Sequence, residues 1–227
     1  MTKINSYISD KLHQLNTNLI HNIDAAFKKD AHASSELIGI RKIKSRPNIR
    51  IFLFPSKKNS GLVALESSLE LAHAIDLERN SDIVEYRTQA IKLFISEQNY
   101  IIPDFVVKKI NHIEIHEIKA DINMLSNEKR LRYELAEQEL KKYSIIFRMY
   151  DAKKILKKED AQILNMHYQR ANFKSFTPEE LQFARILLKE NQIKNKNDLT
   201  LILEKNNLSP LMADYFIFYE NFQGDKQ

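Results

Sequence analysis

The chain predicts an α/β fold, a mixed central sheet flanked by helices in the order αβββαβ, with a small all-helical C-terminal domain behind it. Three observations predict this. A stripe of apolar residues at helical spacing leads into three strand-like runs, the third with clean alternation. A densely charged helix and one more strand follow, the order of a mixed α/β core. After Lys158 the strand signals cease and helix-start signals take over. With 227 residues there is room for one sizeable core, or for a domain of ~150 residues plus a small partner.

The elements follow in order. Ile8, Leu12, Leu15, Leu19, Ile23 and Phe27 fall at helical spacing and predict one long amphipathic helix over 4–29. A basic connector holding Arg41 to Pro47 leads to a short strand, Ile49 to Phe54, and Lys57 to Gly61 reads as a turn. Leu65, Leu69, Ala72 and Ile75 form one stripe of a helix over 65–78. Strands are expected over 83–95, bending near Thr88-Gln89, over 100–107 and over 110–120. Residues 126–142 form a helix with a buried line of Tyr133, Ala136, Leu140 and Tyr143, and 144–150 a closing strand. Beyond it, Thr177-Pro178-Glu179-Glu180 places an N-cap, a first-turn proline and a capping-box glutamate in register. Further helices are expected over 198–205 and after Ser209-Pro210, three in all, with Tyr215, Phe216, Phe218 and Tyr219 as core.

Composition removes several classes of function. There is no cysteine, which excludes disulfides and thiolate metal sites. No apolar run approaches the ~18 residues of a membrane span, and the N-terminus lacks a signal-peptide core, so a cytoplasmic protein without membrane contact is expected. The only glycines are Gly39, Gly61 and Gly224, too few and too scattered for a phosphate-binding loop. The net charge of +5 is gathered in clusters. They are Arg41 to Arg50 with Lys57 and Lys58, Lys129 to Arg132, Lys141 and Lys142, and Lys153 to Lys158. Such clustering is the footprint of a polyanion binder.

The chemistry concentrates on two successive strands. Asp104 follows Pro103 on the first, and thirteen positions later the second carries Glu117-Ile118-Lys119. Alternate residues of a strand share a face, so Glu117 and Lys119 point the same way. Two acids and an amine aimed together suit a divalent metal and the phosphodiester it would polarise. Glu66 and Glu70, at i and i+4, project from nearly the same face of the preceding helix, and either could complete the ligand set. Carboxylate oxygens hold Mg²⁺, with Mn²⁺ able to substitute. Lys119 would orient an attacking water or stabilise the negative charge that develops on phosphorus oxygens. His112, Glu114 and His116 share the opposite parity, but histidines four apart on a strand are separated by about 13 Å, too far for one metal.

These positions resemble the restriction-endonuclease-like nuclease core and, more narrowly, the TnsA endonuclease subunit of heteromeric, Tn-seven-like transposases. The resemblance lies in SSLELAHAIDLERNSDIVEYRTQ at 67–89, IPDFVV at 102–107 and IHEIKAD at 115–121. It runs on through the helix NEKRLRYELAEQELKKY and the strand SIIFRMY, about half the chain. It favours Glu70, which follows Ser67-x-Leu69, over Glu66. It implies metal-ligand roles for Glu70, Asp104 and Glu117 and a catalytic role for Lys119, with Glu78 and Gln89 at further family positions. Some family members carry Gln where this chain has Glu117. The resemblance implies a nuclease domain over 40–158; the residue pattern itself adds an N-terminal helix and linker over 1–39 and a helix-turn-helix-like domain over 159–227. The implied partners are double-stranded DNA at transposon ends, a transposase subunit of another fold, and an ATP-dependent regulator met through the C-terminal region. The implied activity is Mg²⁺-assisted cutting at the 5′ ends of the element, in the bacterial cytoplasm on nucleoid DNA. A stand-alone restriction or repair nuclease and a catalytically idle DNA-binding adaptor are the alternatives.

Overall fold

The computed structural model describes residues 12, 14–28, 51–191 and 193–222. Ile8, Gly39, the basic connector from Arg41 to Arg50 and Ile49 of the expected first strand lie outside them. The described chain falls into two compact units, one running to Lys158 and the other starting at Glu159.

In the first unit, helix α1 (Leu19–Lys28) buries Leu19, Ile23 and Ala26. The expected continuous helix is interrupted by a turn at Thr17 and Asn18, and Leu15 is exposed. Asn16 accounts for the break. Its side-chain amide donates to Phe94 O at 2.9 Å and its Oδ1 accepts from Phe94 N at 3.1 Å, so the turn is tied to a strand. Strands β1 (Phe52–Ser56) and β2 (Gly61–Leu65) form a hairpin. β2 corrects the expected helix start at Leu65. Helix α2 (Ser68–Arg79) begins only at Ser68, behind an N-cap at Ser67.

Strand β3 (Ile83–Thr88) ends where Gln89 takes a positive φ of 47°, and this is the bend expected near Thr88-Gln89. A small ribbon of β4 (Leu93–Phe94) and β5 (Tyr100–Ile101) follows. Pro103 and Asp104 separate it from β6 (Phe105–Lys109), so the expected 100–107 strand is two. β7 (Ile113–Lys119), a short 3₁₀ turn, α3 (Asn127–Lys141) and β8 (Ile146–Asp151) complete the unit. The sheet order is β3-β6-β7-β8. β6 is antiparallel to both β3 and β7, whereas β8 runs parallel to β7. This is a mixed central sheet flanked by helices. Val106 and Ile115 of one face join Leu19, Ile23, Ala136 and Leu140 in a core between the sheet, α1 and α3. The other face, with Phe105 and His116, meets His73 of α2.

The second unit is all helical: α4 (Lys158–Ala171), α5 (Pro178–Glu190), α6 (Lys196–Lys205) and α7 (Met212–Tyr219). Among the described residues four helices replace the expected three, α4 being the addition. Thr177 and Glu180 form the expected reciprocal capping box with Pro178 in the first turn. Ser209 does not cap α7, which has no side-chain cap. Phe216 packs with Ala184, Leu199, Leu203 and Met212 in the core of this unit. Asp214, wholly buried, is held by His167 at 2.6 Å, Arg170 at 2.9 Å and Lys196 at 2.6 Å. Among the described residues no helix is long and apolar enough to cross a membrane.

Candidate active site

Asp104 sits in the break before β6, directly beside the last residues of β7. Its backbone N–H faces Glu117 Oε2 at 3.4 Å, and its Oδ2 accepts from Ile118 N at 2.7 Å. Its carbonyl accepts from Gln89 N at 3.1 Å, so the bend at Gln89 pins the aspartate from the β3 side. Because Glu117 and Lys119 share strand parity, their side chains meet on the α3 face. Lys119 Nζ donates to Glu117 Oε1 at 2.5 Å and lies 3.7 Å from Asp104 Oδ2. From α3, the Tyr133 hydroxyl donates to the same Glu117 oxygen at 2.9 Å. The sheet therefore brings Asp104, Glu117 and Lys119 together as the strand pattern predicts.

Electrostatics follow from this crowding. Burial pushes the Asp104 carboxyl up, and Glu117 and Glu70 push it further, to about 8 against the opposing pull of Lys119. Burial opposes the charged form of Lys119, but Glu117 and Asp104 outweigh it and raise the ammonium above its usual range. Burial and the neighbouring Glu117 likewise raise the Tyr133 phenol to about 12. Two carboxylates thus share a single ammonium in a partly buried corner.

Glu70 stands slightly apart. It is the third residue of α2, where Ser67 Oγ accepts from Glu70 N at 3.1 Å. Its own carboxylate reaches back, Oε1 accepting from Ser67 Oγ at 2.9 Å and Oε2 from Glu66 N at 2.9 Å. Helix capping therefore occupies both oxygens. Burial raises the Glu70 carboxyl, partly offset by those two hydrogen bonds. Its charge is felt at both Asp104 and Lys119. Glu78 belongs elsewhere: it is buried, accepts from Ser56 Oγ, and receives the Tyr86 hydroxyl at 3.0 Å.

Among the described residues, no group of three or more His, Asp or Glu side chains is gathered to hold a metal ion. Two of the three expected ligands, Asp104 and Glu117, do converge. Their donor chemistry fits a hard divalent ion, because two carboxylates converge on one ammonium, Lys119 Nζ lying 2.5 Å from Glu117 and 3.7 Å from Asp104. Glu70 would join as a third oxygen donor on leaving its cap.

A cavity of about 350 Å³ opens beside these acids, its lining including Gln89, Asp104, Glu117, Lys129, Arg132 and Tyr133. Lys129 and Arg132 belong to a basic cluster that the sequence marks for a polyanion, whereas Tyr133, read from the sequence as part of the buried line of its helix, is a site residue that sequence reasoning does not single out. The His-x-Glu-x-His run from His112, just ahead of β7, to His116 within it forms a separate network on the opposite face. There, buried Glu114 takes His112 at 2.9 Å, His116 at 2.8 Å and Arg148 at 3.1 Å, and His73 Nε2 meets His116 Nδ1 at 2.9 Å. Compared with family models and with curated proteins, the chain has no match in either.

Proposed function

We propose that the chain is a Mg²⁺-dependent DNA endonuclease with a restriction-endonuclease-like core, hydrolysing phosphodiesters as the 5′-end-cutting subunit of a heteromeric transposase. The observation that carries the reading is the meeting of Asp104, Glu117 and Lys119 at one corner of a mixed sheet, with Lys119 Nζ 2.5 Å from Glu117 and 3.7 Å from Asp104. The order of helix, antiparallel strands, helix and parallel edge strand around that corner supports the finer fold assignment. The transposase setting and the DNA, transposase and ATP-dependent regulator partners rest on the motif resemblance.

Asp104 and Glu117 would hold the metal, joined by Glu70. When bound, Mg²⁺ supplies Lewis-acid polarisation of a phosphoryl oxygen and a more acidic water. The protein's own groups do the rest. Lys119 carries a fixed positive charge to the place where phosphorane charge develops. Tyr133 and Lys119 together fix the Glu117 carboxylate, and Ile118 N fixes that of Asp104.

One observation favours the idle-adaptor alternative: both Glu70 oxygens are engaged in capping α2. The test is nicking of supercoiled DNA carrying candidate element ends in Mg²⁺, by the chain alone and with the products of adjacent genes. Cutting that Lys119→Ala and Asp104→Ala both abolish supports the proposal. Cutting by the chain alone on arbitrary DNA favours a stand-alone nuclease, and no cutting in any combination favours the adaptor.

A further inference from the structure

The lining of the cavity beside the acids is mixed. Asp104 and Glu117 bring carboxylates to it, and Lys129, Arg132 and Tyr133 of α3 bring two cations and a phenol. Residues 129, 132 and 133 lie on one side of a helix, so the two cations share a stripe with the tyrosine that grips Glu117. Among the described residues neither Lys129 nor Arg132 pairs with a carboxylate. Arg132 is instead held from below, Nη2 donating to Tyr100 O at 3.2 Å. A guanidinium fixed by one backbone carbonyl keeps its remaining donors for an anion and loses less freedom on binding one. The volume is at the low end for a ligand pocket, enough for one nucleotide unit.

We propose that this cavity is a phosphate seat. Lys129 and Arg132 bind a backbone phosphate of the DNA strand adjacent to the bond that Asp104, Glu117 and Lys119 attack. The seat deepens the nuclease reading and rests on it for its place beside the scissile bond. Two cations at a fixed offset from the acids set which phosphodiester reaches them, so the seat is a positioning element and not a source of chemistry.

The test is fluorescence anisotropy of a short labelled DNA duplex with the full chain in EDTA, where nothing is cut, titrated across salt concentrations. Lys129→Gln and Arg132→Gln should each weaken binding about tenfold and lower the salt slope by about 1. Arg132→Lys, which keeps the charge and loses the fork, should fall between. Lys28→Gln, in the last turn of α1 and outside the basic clusters, should bind as wild type. Melting curves identify any variant that fails to fold, and the Arg132→Lys and Lys129→Gln pair then carries the test. In Mg²⁺ the seat variants should raise KM with little change in kcat. Gln variants that bind DNA like wild type, or a wild-type chain that binds no DNA, overturn the seat. If wild type never cuts but both variants still lose binding, the seat stands and the nuclease reading falls. If the variants cut as wild type does, the reverse holds.

Discussion

The Tyr133 hydroxyl donates at 2.9 Å to Glu117 Oε1, the same oxygen that receives the Lys119 ammonium at 2.5 Å. One carboxylate oxygen is thus fixed from a helix and from its own strand, and the other is turned towards Asp104 N. Tyr133→Phe keeps the ring, which stacks on Phe147, and removes only the hydrogen bond. It should cost about 1 kcal/mol of stability and lower kcat for nicking while leaving DNA affinity unchanged. An unaltered kcat would show that Lys119 alone suffices to hold Glu117.

The second prediction concerns metal and pH at Asp104, whose carboxyl is raised to about 8. Between its unfolded value and that pH, the folded chain holds a proton that the unfolded chain has released. This contribution is therefore fully present in acid and is lost as pH rises through about 8. In EDTA, the Tm should fall over that range, and Asp104→Asn should flatten the decline. Mg²⁺ or Mn²⁺ should raise the Tm of the wild type more than that of Asp104→Ala. Equal metal shifts in the two proteins would remove Asp104 from the ligand set.

Glu70 carries two possible duties, and they separate by substitution. Glu70→Gln keeps an oxygen for the cap and loses the charge, whereas Glu70→Ala loses both. If the glutamate serves the metal, both variants lose cutting, and only Glu70→Ala also loses about 1 kcal/mol of stability. Glu66→Ala should leave most of the cutting. Full activity in Glu70→Gln would restrict Glu70 to capping α2.

The corner of the sheet was legible in the sequence because its logic is local. Strand parity alone puts Glu117 and Lys119 on one face, and the pattern of β7 is unambiguous. The β1–β2 hairpin was less so, because Gly61 to Leu65 has no alternation and Leu65 continues the stripe of α2. Helix α4 starts at Lys158-Glu159-Asp160 with no Ser, Thr or Asn cap ahead of it, so charge there reads as solvated surface. Tyr133 fits the buried line of α3, and only the register between α3 and β7 shows its hydroxyl reaching Glu117. His73 meets His116 across 43 positions, a pairing that no local pattern encodes.

That histidine pair makes the opposite face acid-sensitive. Burial lowers both His73 and His116, with the His116 ring adding to the effect on His73 and Glu114 opposing it on His116. The facing groups are Glu114, His112, Lys109 and Arg148 from the sheet, with Tyr150 and Asp76 nearby. Below the ordinary histidine range the unfolded chain takes up protons that the folded chain refuses. The stability is therefore present above about pH 6.5 and lost as pH falls. His73→Gln, which retains a donor towards His116, should make the loss between about pH 7 and about pH 5 shallower in urea melts. An unchanged slope would mean that His73 does not govern the acid limb.

Lys119 decides between catalysis and mere charge balance. Its ammonium offsets Glu117 and Asp104 in the free protein, so Lys119→Ala leaves two crowded carboxylates facing one another. Without divalent metal the variant should melt lower than wild type, and Mg²⁺ should recover more of the difference than it adds to the wild type. Stability is then separable from chemistry by working in saturating Mg²⁺. Under those conditions nicking should still fall about 10²–10³-fold, because the charge acts where negative charge develops in the transition state. DNA affinity should hold, since it rests on dispersed basic clusters with steep salt dependence. A loss of affinity as large as the loss of cutting would make Lys119 a phosphate clamp. If neither changed, Lys119 would serve only to neutralise Glu117, and the idle adaptor would become the better account of the site.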